Sequence, residues 1–351
     1  MRPAPGAVLV AAGTFLIVGA LAMPLYVAPA LVKVPLDQKS VTHSKAENAT
    51  VLDFATLSER TGVNLTASRA VRGDVEAGNS ERAVFDVGVT VTDDAAADPA
   101  ADPITYSSDR VALDRRTAEA IACCGENING TAAKHEGLTY TFPFGTEKKT
   151  YEYFDNTARQ KYPIDYVGTE EIQGLTVYKF EMTVEPVQIS QIDVPGHLVG
   201  STEPMVTAGR YYANTRTVWV EPVSGVIVKG QEKQLQTLRD PGGTDRIKII
   251  DATLTFTEDT QKQQADVAKD ARRQINLLTV VAPIALAVLG VLLALLGLLI
   301  ILRAKRSGAA AAPAAGDDRP IEDGPTEAAD EPVDEPRVPA QGGKHAERTD
   351  A

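Results

Sequence analysis

The stretch VGTEEIQGLTVYKFEMTV, residues 167–184, decides the fold. Polar and apolar residues alternate on both sides of Gln173-Gly174, and Leu175, Val177, Phe180, Met182 and Val184 supply the apolar positions. A two-residue Gly-containing break between alternating runs is the signature of a β-hairpin. Working outward, the pattern recurs in TVWVEPVSGVIVKGQE (217–232), where Val218, Trp219 and Val220 lead into the turn Glu221-Pro222-Val223-Ser224-Gly225 and out through Val226, Ile227 and Val228. Ile247 to Thr257 reads as another strand. Within Gly62 to Thr92, Phe85, Val87, Val89 and Val91 fall on one face and Val84, Asp86, Gly88 and Thr90 on the other, a half-buried strand. Asp93 to Pro103 is an exposed acidic loop. Asp109 to Ala122 predicts a helix, with Val111, Leu113, Ala118 and Ile121 inward and Arg115, Arg116 and Glu119 outward. Leu138 to Phe144 reads as extended, with Pro143 marking an edge or a strand end. Residues 33–60 fit strand or helix. Gln261 to Gln274 predicts a polar helix. The predicted fold class is α+β, mostly β: a curved antiparallel sheet or half-barrel around a helix.

Two uncharged apolar runs flank this region, Pro3 to Val32 and Leu277 to Leu302. Each exceeds the roughly 20 residues needed to cross about 30 Å of hydrocarbon, and each satisfies its own backbone as a helix. The expected organisation is a short cytoplasmic N-terminus (1–6), transmembrane helix 1 (7–30), an extracytoplasmic domain (31–275), transmembrane helix 2 (277–302) and a disordered acidic cytoplasmic tail (303–351). About 240 residues remain between spans and tail, enough for a substantial core. Ala28-Pro29-Ala30 offers the alternative of a cleaved signal peptide. Basic residues near the spans nearly balance on the two sides, and Arg303, Lys305 and Arg306 tip the count toward a cytoplasmic C-terminus. Gly290 and Ala294 form a small-xxx-small pair that suits close helix–helix contact, with the first span or with a partner.

The formal charge of −12 argues against nucleic acid as a partner. Much of that charge lies beyond Ser307, in a Pro-, Glu-, Asp- and Ala-rich segment unsuited to folding. No G-x-S-x-G, Walker or G-x-G-x-x-G motif occurs. His135-Glu136 opens like a zinc-protease motif, but Thr139 stands where the second His belongs. The expectation is no catalytic residue, no metal and no cofactor.

Three groups of residues invite a binding role. In GLTYTFPFGTEKKTYEYFD (137–155), Phe142, Phe144, Tyr151 and Tyr153 surround Lys148 and Lys149. Rings beside ammonium groups suit a lipid, and with Trp219 they form the candidate lipid-binding set; the competing reading is a hairpin with an aromatic core and solvated lysines. Lys269, Arg272 and Arg273 precede the second span and suit lipid phosphates, or are ordinary flanking charges. Cys123 and Cys124 are adjacent, about 3.8 Å apart across a trans peptide. They leave open a strained vicinal disulfide, a tight-turn structural role, a redox switch or pairing between chains.

Asp114-Arg115-Arg116-Thr117 with Cys123-Cys124-Gly125, the 137–155 block, the 167–184 hairpin and the 217–232 segment, in this order between two terminal spans, resemble the actinobacterial porin PorA family. That family includes the mycobacterial polar growth factor A, and the resemblance covers roughly residues 5–303. It implies a two-pass protein of an actinobacterial plasma membrane, its central domain extracytoplasmic and both termini cytoplasmic. It also implies work with an envelope lipid exporter in delivering a membrane lipid or glycolipid. A pore of the barrel type needs an outward apolar band, whereas this chain has apolar helices and charged turns. Three functions compete: a lipid-binding or handover module, a structural scaffold of envelope growth or transport machinery, and an envelope hydrolase using a carboxylate pair. An apolar groove separates the first from the second.

Overall fold

Gln173 and Gly174 both take positive φ, 52° and 73°, as a two-residue hairpin turn matching the twist of its strands requires. In the computed structural model, which describes residues 5–98 and 103–309, this turn joins two of twelve strands. In chain order they are β1 (Lys39–Asp53), β2 (Ser58–Gly73), β3 (Arg82–Asp93), β4 (Thr105–Asp114), β5 (Asn127–Ile128), β6 (Thr131–Ala132), β7 (Tyr151–Asp155), β8 (Gln160–Ile172), β9 (Leu175–Pro195), β10 (Met205–Val220), β11 (Ile227–Arg239) and β12 (Asp245–Phe256). They form one antiparallel sheet in the order β6-β5-β4-β3-β2-β1-β12-β11-β10-β9-β8-β7. The fold is mostly β, an open curved sheet with helices at both ends of the chain.

Register shifts in the β1–β2, β1–β12, β9–β10 and β8–β9 pairings mark bulges, which bend strands and raise their twist. The curl brings the two sheet edges near each other without pairing them. Chain segment 133–146 spans the gap. Leu138 bridges to Tyr153 of β7, and Ala120 N–H donates to the Gly137 carbonyl. Gly145 and Thr146 N–H groups reach the carbonyls of Val223 and Pro222 in the β10–β11 turn. Gly225 sits at φ 73°, and a Cβ there would stand 2.1 Å from the Phe142 carbonyl oxygen, so glycine is what lets this crossing lie flat on the turn.

β1 and β12 are neighbours in mid-sheet, so the helices preceding β1 and following β12 leave from the same place. Helix α1 spans Pro5–Leu31 and helix α2 spans Glu258–Arg306; both are long and apolar enough to cross a membrane. Thr257 caps α2 by accepting from Thr260 N–H. Thr260 is in turn bonded to the backbone of His43 in β1. The helices meet through glycines: a Cβ on Gly13 would lie 2.5 Å from the Gly290 carbonyl oxygen, and one on Gly6 2.8 Å from that of Gly297. From Leu302 on, the described residues are the end of α2, whose helical backbone runs to Ala309. Most of the acidic tail lies outside the described residues.

The predicted helix over Asp109–Ala122 is corrected: Asp109 to Asp114 finish β4, paired to β3 from Thr105 to Asp114. Asp114 then accepts from the N–H groups of Arg116 and Thr117, an Asx turn, and Ala118 takes φ 60°. The apolar residues fit both periods, and the turn chemistry of Asp114 decides. Leu138 to Phe144 crosses the sheet ends instead of lengthening the ladder. Residues 33–60, open between strand and helix, contain β1.

Candidate functional site: two adjoining cavities beneath the curved sheet

The inner face of the sheet is set by alternation. β3 turns Phe85, Val87, Val89 and Val91 inward, the face read from sequence. β10 turns Arg210, Arg216 and Val218 inward, and β11 Glu232, Gln234 and Gln236. These enclose a cavity of about 450 Å³ with one apolar wall, from β3 and from Ile250 and Leu254 of β12, and one polar wall from β10 and β11.

A second cavity of about 300 Å³ lies below it. Its wall is mainly apolar, with Val34, Val71, Phe144, Val226, Val267 and Ile275 among the contributors. It ends at Leu31, the last residue of α1, and at Leu278 of α2, where the apolar part of that helix begins. Arg69, Tyr140, Ile227 and Phe256 line both cavities. The two cavities therefore adjoin at these four side chains, between the apolar helix segments and the interior of the sheet.

The polar wall is held by a charge network. Arg216 lies 3.2 Å from Glu232 and 3.6 Å from Asp155, and Arg69 lies 3.4 Å from Glu232. Burial raises the Glu232 carboxyl, but the Arg216 and Arg69 charges outweigh it and hold Glu232 at about 2. Burial works against the Arg216 charge, and Glu232 and Asp155 overcome it and push Arg216 up. Arg210 donates from Nε and Nη2 to the Gln236 side-chain oxygen at 3.0 and 2.5 Å; burial without an adjacent acid pushes it down.

A second network closes the gap between the sheet edges. Fully buried His135 stands 2.9 Å from Asp109 of β4 and 3.0 Å from Glu126. Asp109 also accepts from Tyr140 Oη and, at 2.6 Å, from Asn156 beyond β7. Burial opposes the His135 charge, and the hydrogen bonds and charges of Asp109 and Glu126 outweigh it, leaving His135 above its ordinary value. Burial, with the Asp109 charge, pushes the Tyr140 hydroxyl well up. Among the described residues, no group of three or more His, Cys, Asp or Glu could hold a metal ion.

The residues singled out from sequence are not all gathered here. Phe144 lines the lower cavity. Phe142 and Tyr153 are buried core, and the Phe142 ring packs 4.9 Å from Phe180 and 5.5 Å from Tyr151. Tyr153 also reaches the upper cavity wall. Lys148 and Lys149 are exposed; Lys148 lies over the Tyr166 and Tyr178 rings and Lys149 over Tyr151. Trp219 points to the outer face of β10, against Ala265 and Ala268 of α2, with Lys229 4.3 Å above its ring. Lys269 and Arg273 pair with Asp266 and Asp270 on α2, and Arg272 is exposed on the same helix. Cys123 and Cys124 are joined as a vicinal disulfide in the turn after β4. Arg69, Arg210, Arg216 and Glu232 were missed. The signal was present: RYYANTR (210–216) and QEKQLQ (231–236) carry polar residues on both strand faces, which a sheet packed on an apolar core does not tolerate.

The family model described as Porin PorA matches residues 5–299. A protein named Porin PorA from Corynebacterium amycolatum is 27% identical over 370 aligned positions, covering 82% of this chain and 96% of its own length. Another of that name, from Corynebacterium resistens, is 27% identical over 317 positions, covering 66% of this chain and 76% of its own length. These relatives are named as porins and not as enzymes. The chain belongs to the Porin PorA family of cell-envelope membrane proteins.

Proposed function

We propose that this protein withdraws a lipid or glycolipid from the membrane and holds it for handover. Its helices cross the bilayer twice, and its sheet stands on the extracytoplasmic side. The carrying observation is the shared lining of the two cavities by Arg69, Tyr140, Ile227 and Phe256, with the lower one ending at Leu31 and Leu278. An acyl chain leaving the bilayer there stays in contact with apolar side chains, while a polar head meets the β10–β11 wall. Burying ten methylenes is worth about 8 kcal/mol relative to water. The bilayer offers the chain the same gain, so exchange is nearly balanced, as a carrier requires. An envelope lipid exporter is the natural donor or acceptor.

The relatives' name raises a pore reading, and the outer face of the sheet speaks against a pore formed by strands in lipid. β1 presents Lys39, His43, Lys45 and Glu47 outward, β2 Arg72 and β3 Asp86, where a membrane barrel carries an apolar band. Native mass spectrometry of the full-length chain, extracted in mild detergent from an actinobacterial envelope, tests the proposal. The expected result is one lipid of defined mass per chain, lost in Ile227→Trp, which fills the junction. A folded chain that stays empty when offered native lipid extract would favour a scaffold.

A further inference from the structure

Resting on the lipid reading, the polar wall also specifies the charge of the cargo. Four arginines reach the upper cavity, Arg69, Arg159, Arg210 and Arg216, with Asp109 and Glu232 as its carboxylates. Arg216 is answered by Glu232 and Asp155, Arg69 by Glu232, and Asp109 by His135. Arg159 is exposed to solvent, and Arg210 stands apart. Its hydrogen-bond partner is the neutral amide oxygen of Gln236, which takes two of its five N–H groups. Arg210 is half-buried, and a neutral dipole does not cancel a full charge partly withdrawn from water, so it favours a counter-ion.

A second observation lies on the same wall. The Nε of Arg69 and both polar atoms of the Asn214 side chain are buried without hydrogen-bond partners. Arg69 lines the cavity, whereas Asn214, 2% exposed on β10 between Arg210 and Arg216, is not part of its lining. Buried polar groups are almost always paired, so the orphaned Arg69 Nε in the cavity that also holds the unneutralised Arg210 guanidinium marks a place for a ligand's oxygen. Across the cavity, Val87, Val89, Val91 and Leu254 form an apolar wall that continues to Phe256 and the lower cavity. From Ile227 to Gln236 the strand runs on the order of 30 Å at about 3.3 Å per residue. One leaflet's hydrocarbon is about half the 30 Å core, so an extracted lipid fits lengthwise.

The geometry points to an anionic lipid as cargo, its acidic group at Arg210, a neighbouring oxygen at Arg69 Nε, and its chain along the β3–β12 wall. The test uses the full-length protein in neutral detergent, with phosphatidylglycerol, phosphatidylcholine and an uncharged diglycosyl lipid of matched chains as probes. Native mass spectrometry reads retention, and a circular-dichroism melt checks folding of each variant. Phosphatidylglycerol is expected to be retained at least about tenfold better than the other two. Arg210→Gln is expected to erase that lead, and Arg210→Lys to restore most of it. Equal retention of the three probes, or a lead unchanged in folded Arg210→Gln, overturns the anionic assignment and leaves lipid binding standing. Retention of inorganic phosphate alone, with no lipid, overturns the lipid part of the assignment. Failure to retain any probe or any component of native extract defeats the underlying reading, and this one with it.

Discussion

Half-buried Glu232 and fully buried His135 carry opposite pH signatures. Glu232 lies at about 2 in the folded chain against an ordinary 4.5, so its contribution is present above 4.5 and lost as pH falls toward 2. That difference corresponds to about 3 kcal/mol at neutral pH. Glu232→Gln leaves Arg69 without its acid and Arg216 with Asp155 alone, and is expected to destabilise by about 3 kcal/mol at pH 7. Thermal melts of the detergent-solubilised protein should show the variant's deficit shrinking between pH 4.5 and 2; a constant deficit would contradict the assignment. His135 runs the other way. Its folded value is raised, so its stabilisation is full below 6.5 and is lost as pH rises through the folded value. Hydrogen-exchange protection in β4 and β5, corrected for the base-catalysed intrinsic rate, is expected to fall from pH 6 to 9, and His135→Gln to show the lower protection at both.

At the scale of elements, α2 serves two environments with one continuous helix. Its polar half, Glu258–Asn276, lays Ala265 and Ala268 on Trp219, Val177 and Val228 of the sheet's outer face, while Val267, Ala271 and Ile275 line the lower cavity. Trp219 is the only tryptophan, so its fluorescence reports this docking. Ala268→Glu buries an unpaired charge there and is expected to shift emission to the red and cost roughly 2–4 kcal/mol. Unchanged emission would mean that the helix docks elsewhere. Gly13→Leu is expected to cost about 1–3 kcal/mol by overpacking, read as a lower melting temperature, because the Gly290 backbone leaves no room. Much at this scale was legible. The Gln173-Gly174 turn, the inward face of β3 and the polar helix running into the second apolar run are local patterns. The segment after Asp109 was misread because its apolar spacing fits helix and strand alike. The Phe142 and Tyr153 rings are local too, but their burial against Phe180 depends on a chain crossing that sequence does not display.

For the molecule as a whole, the decisive relations are non-local. β1 and β12 pair although they stand at opposite ends of the domain, and this sets both helices under the mouth of one cavity. The polar interior was illegible for the same reason: Arg216 and Glu232 on adjacent strands, Asp155 at the end of β7 and Arg69 on β2 meet only when the sheet curls. The central claim is that lipid enters this interior from the membrane. Photo-crosslinking tests it most directly. A benzophenone side chain replaces Val89, on the inner wall, or Val41, on the exposed outer face of β1, in the full-length chain within native membranes. The account predicts a lipid adduct of defined mass at residue 89 and none at residue 41. No adduct at 89, or equal labelling of both positions, would contradict it.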